Sequence, residues 1–189
     1  MSFQFENASL MGLKSIIPVF LPDSRGYFSK VFEKRIFSEN GIDFSPYEEM
    51  MSCSQKGVIR GLHFQKRHSQ DKLVRVLHGA VYDVAVDLRK SSPTFGKWQG
   101  FYLSAENRQM LYIPKGFAHG FLALEDNTLF GYLCGDRYDP ASDGGICWND
   151  PDIGVEWPLD RVGEVIISDK DRALPFFAEF CRDFGGFEF

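Results

Sequence analysis

Hydrophobic and polar positions alternate with a period of two through the middle of the chain. In residues 73–89, LVRVLHGAVYDVAVDLR, the pattern breaks at Gly79. Beyond it Tyr82, Val84, Val86 and Leu88 fall on one side and Asp83, Asp87 and Arg89 on the other. That predicts a strand with one polar face. The same reading predicts strands over 97–103, 109–113, 117–124 and 128–134, separated by turn-forming SSPT, SAEN and IPKG. Helix signals are few. Residues 31–39 form a short helical pattern stopped by Asn40-Gly41, and the tail predicts a helix from Ser168 limited by Pro175. Residues 136–160, rich in Asp, Gly, Pro and Trp, read as a long structured loop.

Short strands at spacings of roughly 8–12 residues, without alternating helices, indicate an all-β antiparallel sandwich or barrel. The 19 Phe, 18 Gly and 9 Pro fit that class. With 189 residues, no linker and no repeat, the expectation is one domain over residues 1–189. A 44% hydrophobic content excludes a disordered chain. A net charge of −5 with no basic run argues against nucleic-acid binding. No apolar stretch reaches the roughly 18 residues of a membrane span, and the N-terminus lacks the pattern of a signal peptide, so a cytoplasmic location is expected. Cys53, Cys134, Cys147 and Cys181 show no CxxC or Cys-His spacing and are expected as free thiols.

Each of the four histidines has a bland reading. His68 lies in polar KRHSQ and reads as solvated; His78, before Gly79, reads as structural. His63 and His119 lack the strand-spaced second histidine and following Glu of a metal-binding jelly roll, so no metal site is expected. There is no GxSxG, GxGxxG or P-loop. What remains is a set for proton transfer. His63 can serve as base, Asp169 or Asp171 in ISDKD can orient it, Lys72 can meet an oxyanion, and Tyr132 can serve as acid. Arg25, Arg60 and Lys170 can hold phosphates. Arg60 and His63 fall on opposite faces by strict alternation, and a bulge would bring both to one cavity mouth. Against this stand a half-buried strand tyrosine, a solvated lysine at a strand end and a helix cap at ISDKD.

The segments RGLHFQ (60–65), 72–98, LSAEN (103–107), IPKGFAHGF (113–121), WNDPDIGVEWP (148–158) and DSRGYF (23–28) together resemble the dTDP-4-dehydrorhamnose 3,5-epimerase family, in order from about residue 14 to 175. The resemblance implies a cupin-like jelly roll, a homodimer and no metal or organic cofactor. It implies a nucleotide-linked 4-keto-6-deoxysugar as substrate, in deoxysugar biosynthesis. It assigns His63 as base, Asp171 as its partner with Asp169 as substitute, Tyr132 as acid and Lys72 beside the sugar. It implies substrate contacts at Arg25, Phe28, Lys30, Glu48, Met50, Arg60, His119, Asp143 and Lys170. The dimer it implies would cover Phe3, Phe5, Ile16, Ile17, Val19 and Phe20 of the N-terminal strands.

Glu48-Glu49-Met50 departs from the family's Gln-acid-Asn pattern, Lys30 stands where Glu is frequent, and Leu133 follows Tyr132 where Lys is usual. The expected activity is therefore inversion at C3, C5 or both beside a C4 ketone. A CDP- or GDP-linked substrate, a 3,4-ketoisomerase on the same fold and a non-enzymatic sugar-nucleotide-binding module are the alternatives.

Overall fold

A computed structural model describes residues 3–188. In chain order the elements are β1 (Phe3–Asn7), β2 (Lys14–Pro18), β3 (Phe20–Asp23), β4 (Gly26–Ser29), α1 (Lys34–Glu39), β5 (Glu48–Ser54), β6 (Ile59–Gln65), β7 (Lys72–His78) and β8 (Ala80–Asp87). They continue with β9 (Trp98–Ser104), β10 (Met110–Ile113), β11 (Phe117–Ala123), β12 (Thr128–Cys134), β13 (Asp143–Gly145), α2 (Asp169–Arg172) and α3 (Phe177–Asp183).

Eleven of the strands make two antiparallel sheets, ordered β1-β2-β10-β7-β12-β5 and β13-β6-β11-β8-β9. Apolar side chains from both sheets, among them Val74, Leu111, Phe130, Val81, Ala85 and Phe121, interlock between them. This is the jelly-roll sandwich. The outer face of the five-stranded sheet is covered by the C-terminal third, through Ile146, Trp157, Phe180 and Phe187. The outer face of the six-stranded sheet is covered by residues 37–44. Phe37 is fully buried there and meets Phe3 and Phe5 edge-on at 5.3 Å. Burial of one such side chain stabilises the fold by roughly 1.5–3 kcal/mol.

Several expectations change. The polar side of β8 faces no solvent: Asp83 and Asp87 are fully buried. Both faces of a strand inside a covered sandwich are enclosed, so these carboxylates survive only by bonding, Asp83 to His119 and Asp87 to Arg89, Ser92 and Thr94. The apolar residues of β1 and β2 are largely consumed inside the chain; Phe3 and Ile16 are buried. What projects instead is the β3–β4 hairpin, a separate two-stranded sheet exposing Leu21, Tyr27 and Phe28. His78 is exposed and belongs to no buried cluster. The loop expected over 136–160 contains β13, and the tail forms two helices, broken at Pro175. The four cysteines are unpaired. Among the described residues no helix is long and apolar enough to cross a membrane.

Candidate active site

Strand β6 brings Arg60 and His63 to one place by a break in its pairing. His63 faces His119 and Arg60 faces Phe121 on β11, so three steps on β6 oppose two on β11. The extra residue is a bulge, which turns both side chains toward one cavity. Gly61 and Gly120 make the close approach at the bulge. Gly61 has φ +133°, and a Cβ there would lie 2.5 Å from the Gly120 Cα.

The bulge also frees a backbone donor. Gly61 N–H donates to Asp171 Oδ2 at 3.2 Å, while His63 Nε2 meets Asp171 Oδ1 at 2.9 Å. Asp171 reaches this position because Ser168 caps α2, its hydroxyl accepting from Asp171 N–H. One turn later the Asp171 side chain is buried, whereas Asp169 is exposed. Ser168 in ISDKD therefore caps a helix, and of the two aspartates it is Asp171 that hydrogen-bonds His63. Burial alone would raise its carboxyl, but the bonds from His63, Gly61 and the Ser168 region hold it below its ordinary value.

The cavity beside His63 has a volume of about 440 Å³ and opens at the edge of the sandwich. His63, Arg60 and His119 come from the five-stranded sheet, and Lys72, Tyr132 and Met50 from the six-stranded sheet. Asp143 on β13 and Lys170 on α2 complete the lining. The Lys72 ammonium makes no hydrogen bond or ion pair among the described residues; burial pushes it down, opposed by the charges of Cys134, Asp71, Asp143 and Glu48. Burial and the Asp83 carboxylate push the Tyr132 phenol up, opposed by a hydrogen bond with Ser52 and the charge of Arg60. His119 is nearly buried and is held by Asp83 through Nε2–Oδ2 at 2.8 Å. Tyr138 donates to Asp143 Oδ2 at 2.9 Å, and Lys170 bonds the same oxygen.

Four of the expected substrate-contacting residues lie outside this lining. Arg25 pairs with Asp23 on the projecting hairpin, and its side chain is 87% exposed. Phe28 is exposed on the same hairpin. Lys30 pairs with Glu33 at the surface. Glu48 accepts from Gln70 Nε2 at 3.0 Å. Conversely, Ser52, Met51, Gln70 and Tyr138 line the cavity without having been singled out in the sequence, and Asp83 stands behind His119. The alternation through YDVAVD placed Asp83 off the apolar side, and the other four carried no local signal.

A sequence profile described as dTDP-4-dehydrorhamnose 3,5-epimerase matches residues 7–179. A protein of that name from Methanothermobacter thermautotrophicus is 52% identical over 170 residues, covering 90% of this chain and 92% of its own length. The crystal structure of a Legionella pneumophila dTDP-6-deoxy-D-glucose-3,5-epimerase in complex with dTDP-4-keto-L-rhamnose superposes with a TM-score of 0.88 at 44% identity, covering 92% of both chains. A 3'-monoepimerase from Streptomyces bikiniensis, in complex with dTDP-quinovose, gives a TM-score of 0.85 at 34% identity, covering 93% of this chain and 88% of that one.

Proposed function

The chain belongs to the dTDP-4-dehydrorhamnose 3,5-epimerase family, and we propose that it inverts C3 and C5 of a dTDP-linked 4-keto-6-deoxyhexose, one proton at a time, through an enolate. The C4 ketone acidifies the hydrogens on both neighbouring carbons, because either carbanion delocalises onto the carbonyl oxygen. Inversion then needs a base on one face of the ring and an acid on the other. The observation that carries the reading is that His63 and Tyr132 line one cavity from two facing sheets, β6 in one and β12 in the other. A sugar ring held between them meets the two groups from opposite sides. A ketoisomerase working on one face has no need of that arrangement.

In this account His63 takes the proton, and Asp171 fixes the imidazole's orientation and meets the charge it gains. Lys72, whose ammonium has no hydrogen-bond or ion-pair partner among the described residues, offers it to the enolate oxygen as charge develops there. Tyr132 returns a proton to the far face. His119 and Asp143 bind the sugar, and Arg60 and Lys170 bind the diphosphate. Met50 packs against the ligand.

The chain acts as a homodimer in the cytoplasm, a setting that its unpaired cysteines fit. The projecting hairpin supports the dimer. Arg108 clamps its base by stacking on Phe20 at 4.1 Å and Tyr27 at 4.7 Å, so a rigid arm presents Leu21, Phe28 and Arg25 outward. Such an arm supplies Arg25 and Phe28 to the cavity of the second copy. Proton NMR of the dTDP-linked 4-keto sugar in D2O tests the reading. Deuterium entering at C3 and C5 with formation of the epimer supports it; absence of exchange at both carbons contradicts it.

A further inference from the structure

Among the described residues, the Tyr132 hydroxyl has one hydrogen-bond partner, Ser52 Oγ at 3.2 Å. Ser52 faces Phe130 on the β5–β12 ladder and Met50 faces Tyr132, so Ser52 and Tyr132 share a sheet face and both line the cavity. The Ser52 hydroxyl has no other hydrogen-bond partner among the described residues, so the fold itself does not employ it.

The direction of this bond matters. If Ser52 accepts, the phenolic hydrogen is taken up by Ser52 and is not offered to the ligand. If Ser52 donates, that hydrogen is free for the ligand, and the bond persists once the phenol becomes a phenolate, which can only accept. The site makes the phenolate costly, since it is largely desolvated and the buried Asp83 carboxylate lies nearby. A hydrogen bond to a charged acceptor belongs to the stronger class.

We infer that Ser52 is a positioning residue for the acid step: its hydroxyl donates to the Tyr132 oxygen, aims the phenolic hydrogen into the cavity, and holds the phenolate left behind. In that step the Tyr132 O–H bond breaks and a C–H bond forms at C3 or C5. The enolate's electron pair enters the new bond, the C4 carbonyl is restored, and the negative charge passes to the phenol oxygen. The phenolate regains a proton from water through the cavity mouth, and the His63 imidazolium gives its own up to the same solvent, which restores both groups. The inference rests on Tyr132 being the acid, and its test separates the two.

The experiment follows deuterium incorporation and epimer formation by NMR in D2O for wild type, Ser52→Ala, Ser52→Thr, Tyr132→Phe and the Ser52→Ala/Tyr132→Phe double variant. Ser52→Ala should lower the ratio of epimer formed to deuterium incorporated roughly tenfold to a hundredfold. Ser52→Thr, which keeps the hydroxyl, should restore that ratio to within a few-fold, and in the Tyr132→Phe background Ser52→Ala should change nothing further. A wild-type ratio for Ser52→Ala overturns the inference, as does an equal loss with and without the Tyr132 hydroxyl. Normal epimer formation by Tyr132→Phe alone would remove the acid assignment itself, and this proposal with it.

Discussion

His63 and His119 stand directly opposite one another on the β6–β11 ladder, yet each is held by a different aspartate in a different setting. Asp171 bonds His63 from a helix start that also receives the Gly61 N–H. Asp83 bonds His119 from inside the sandwich, and its second oxygen has no hydrogen-bond partner among the described residues. His63 keeps 36% of its side chain open to the cavity and His119 only 5%. A proton carrier must reach both ligand and solvent, and the more open histidine, His63, is the one proposed as base.

Replacing His63 by Asn should leave the fold intact, because the side chain is only half-buried and Asn is smaller and polar. Activity should drop by roughly 10²–10⁴-fold, the usual worth of a general base. Steady-state assay beside a thermal melt checks both halves. Wild-type exchange by this variant would remove His63 from the mechanism.

Acid should destabilise the chain through two carboxyls. Burial would raise Asp87, but bonds from Arg89, Ser92 and Thr94 hold it below its ordinary 3.8. Asp171 is likewise held down. A lowered carboxyl contributes stability that is present above the unfolded value and is lost as pH falls through the folded one. Tm should therefore decline as pH drops below about 4. Asp71 works in reverse, since burial raises it, and softens the decline. Asp87→Asn should melt lower than wild type at pH 7, and the gap should narrow toward pH 2. A gap independent of pH would show that Asp87 acts through packing alone.

Self-association should be visible by light scattering at micromolar concentration as a dimer. Leu21→Asp, on the exposed side of the hairpin, should weaken it while leaving the monomer's melting behaviour unchanged, because Leu21 is 60% exposed within one chain. A stable wild-type monomer would leave the hairpin without its assigned partner.

The nucleotide is open to direct titration. Lys30 is engaged by Glu33 at the surface, so the feature that suggested another base is committed within the chain. Calorimetry should give dTDP at least a tenfold preference over CDP and GDP, about 1.4 kcal/mol. Equal or reversed affinities would restore the CDP- or GDP-linked alternatives.

The sequence carried the strands because the alternation in 80–88, and the short apolar runs 117–124 and 128–134 between turns, reflect burial that the sandwich imposes. It misjudged what lies on the second face of β8, since period two shows that Asp83 and Asp87 differ from their neighbours but not that a second sheet and a buried His119 await them. Asp143–Gly145 was invisible as a strand because Asp-Gly-Gly has turn composition, and its pairing with Gln65–His63 is decided by tertiary contact. The helix after Pro175 was missed because its start is fixed by the Glu179 side chain accepting from Phe176 N–H, three residues back. Choosing between Asp169 and Asp171 required the turn that Ser168 initiates. The main cavity residues were recognisable only through the long ordered segments that resemble the family; no spacing places His63, Tyr132 and Asp171 together.

The central claim, that His63 and Tyr132 act on opposite faces of one ring, is tested most directly by Tyr132→Phe turning over the dTDP-linked 4-keto sugar in D2O. The substitution removes one hydroxyl and leaves His63 and Asp171 in place. The account predicts that recovered substrate carries deuterium with its configuration retained, while epimer formation falls far below wild type. Epimer formed at the wild-type rate would contradict it.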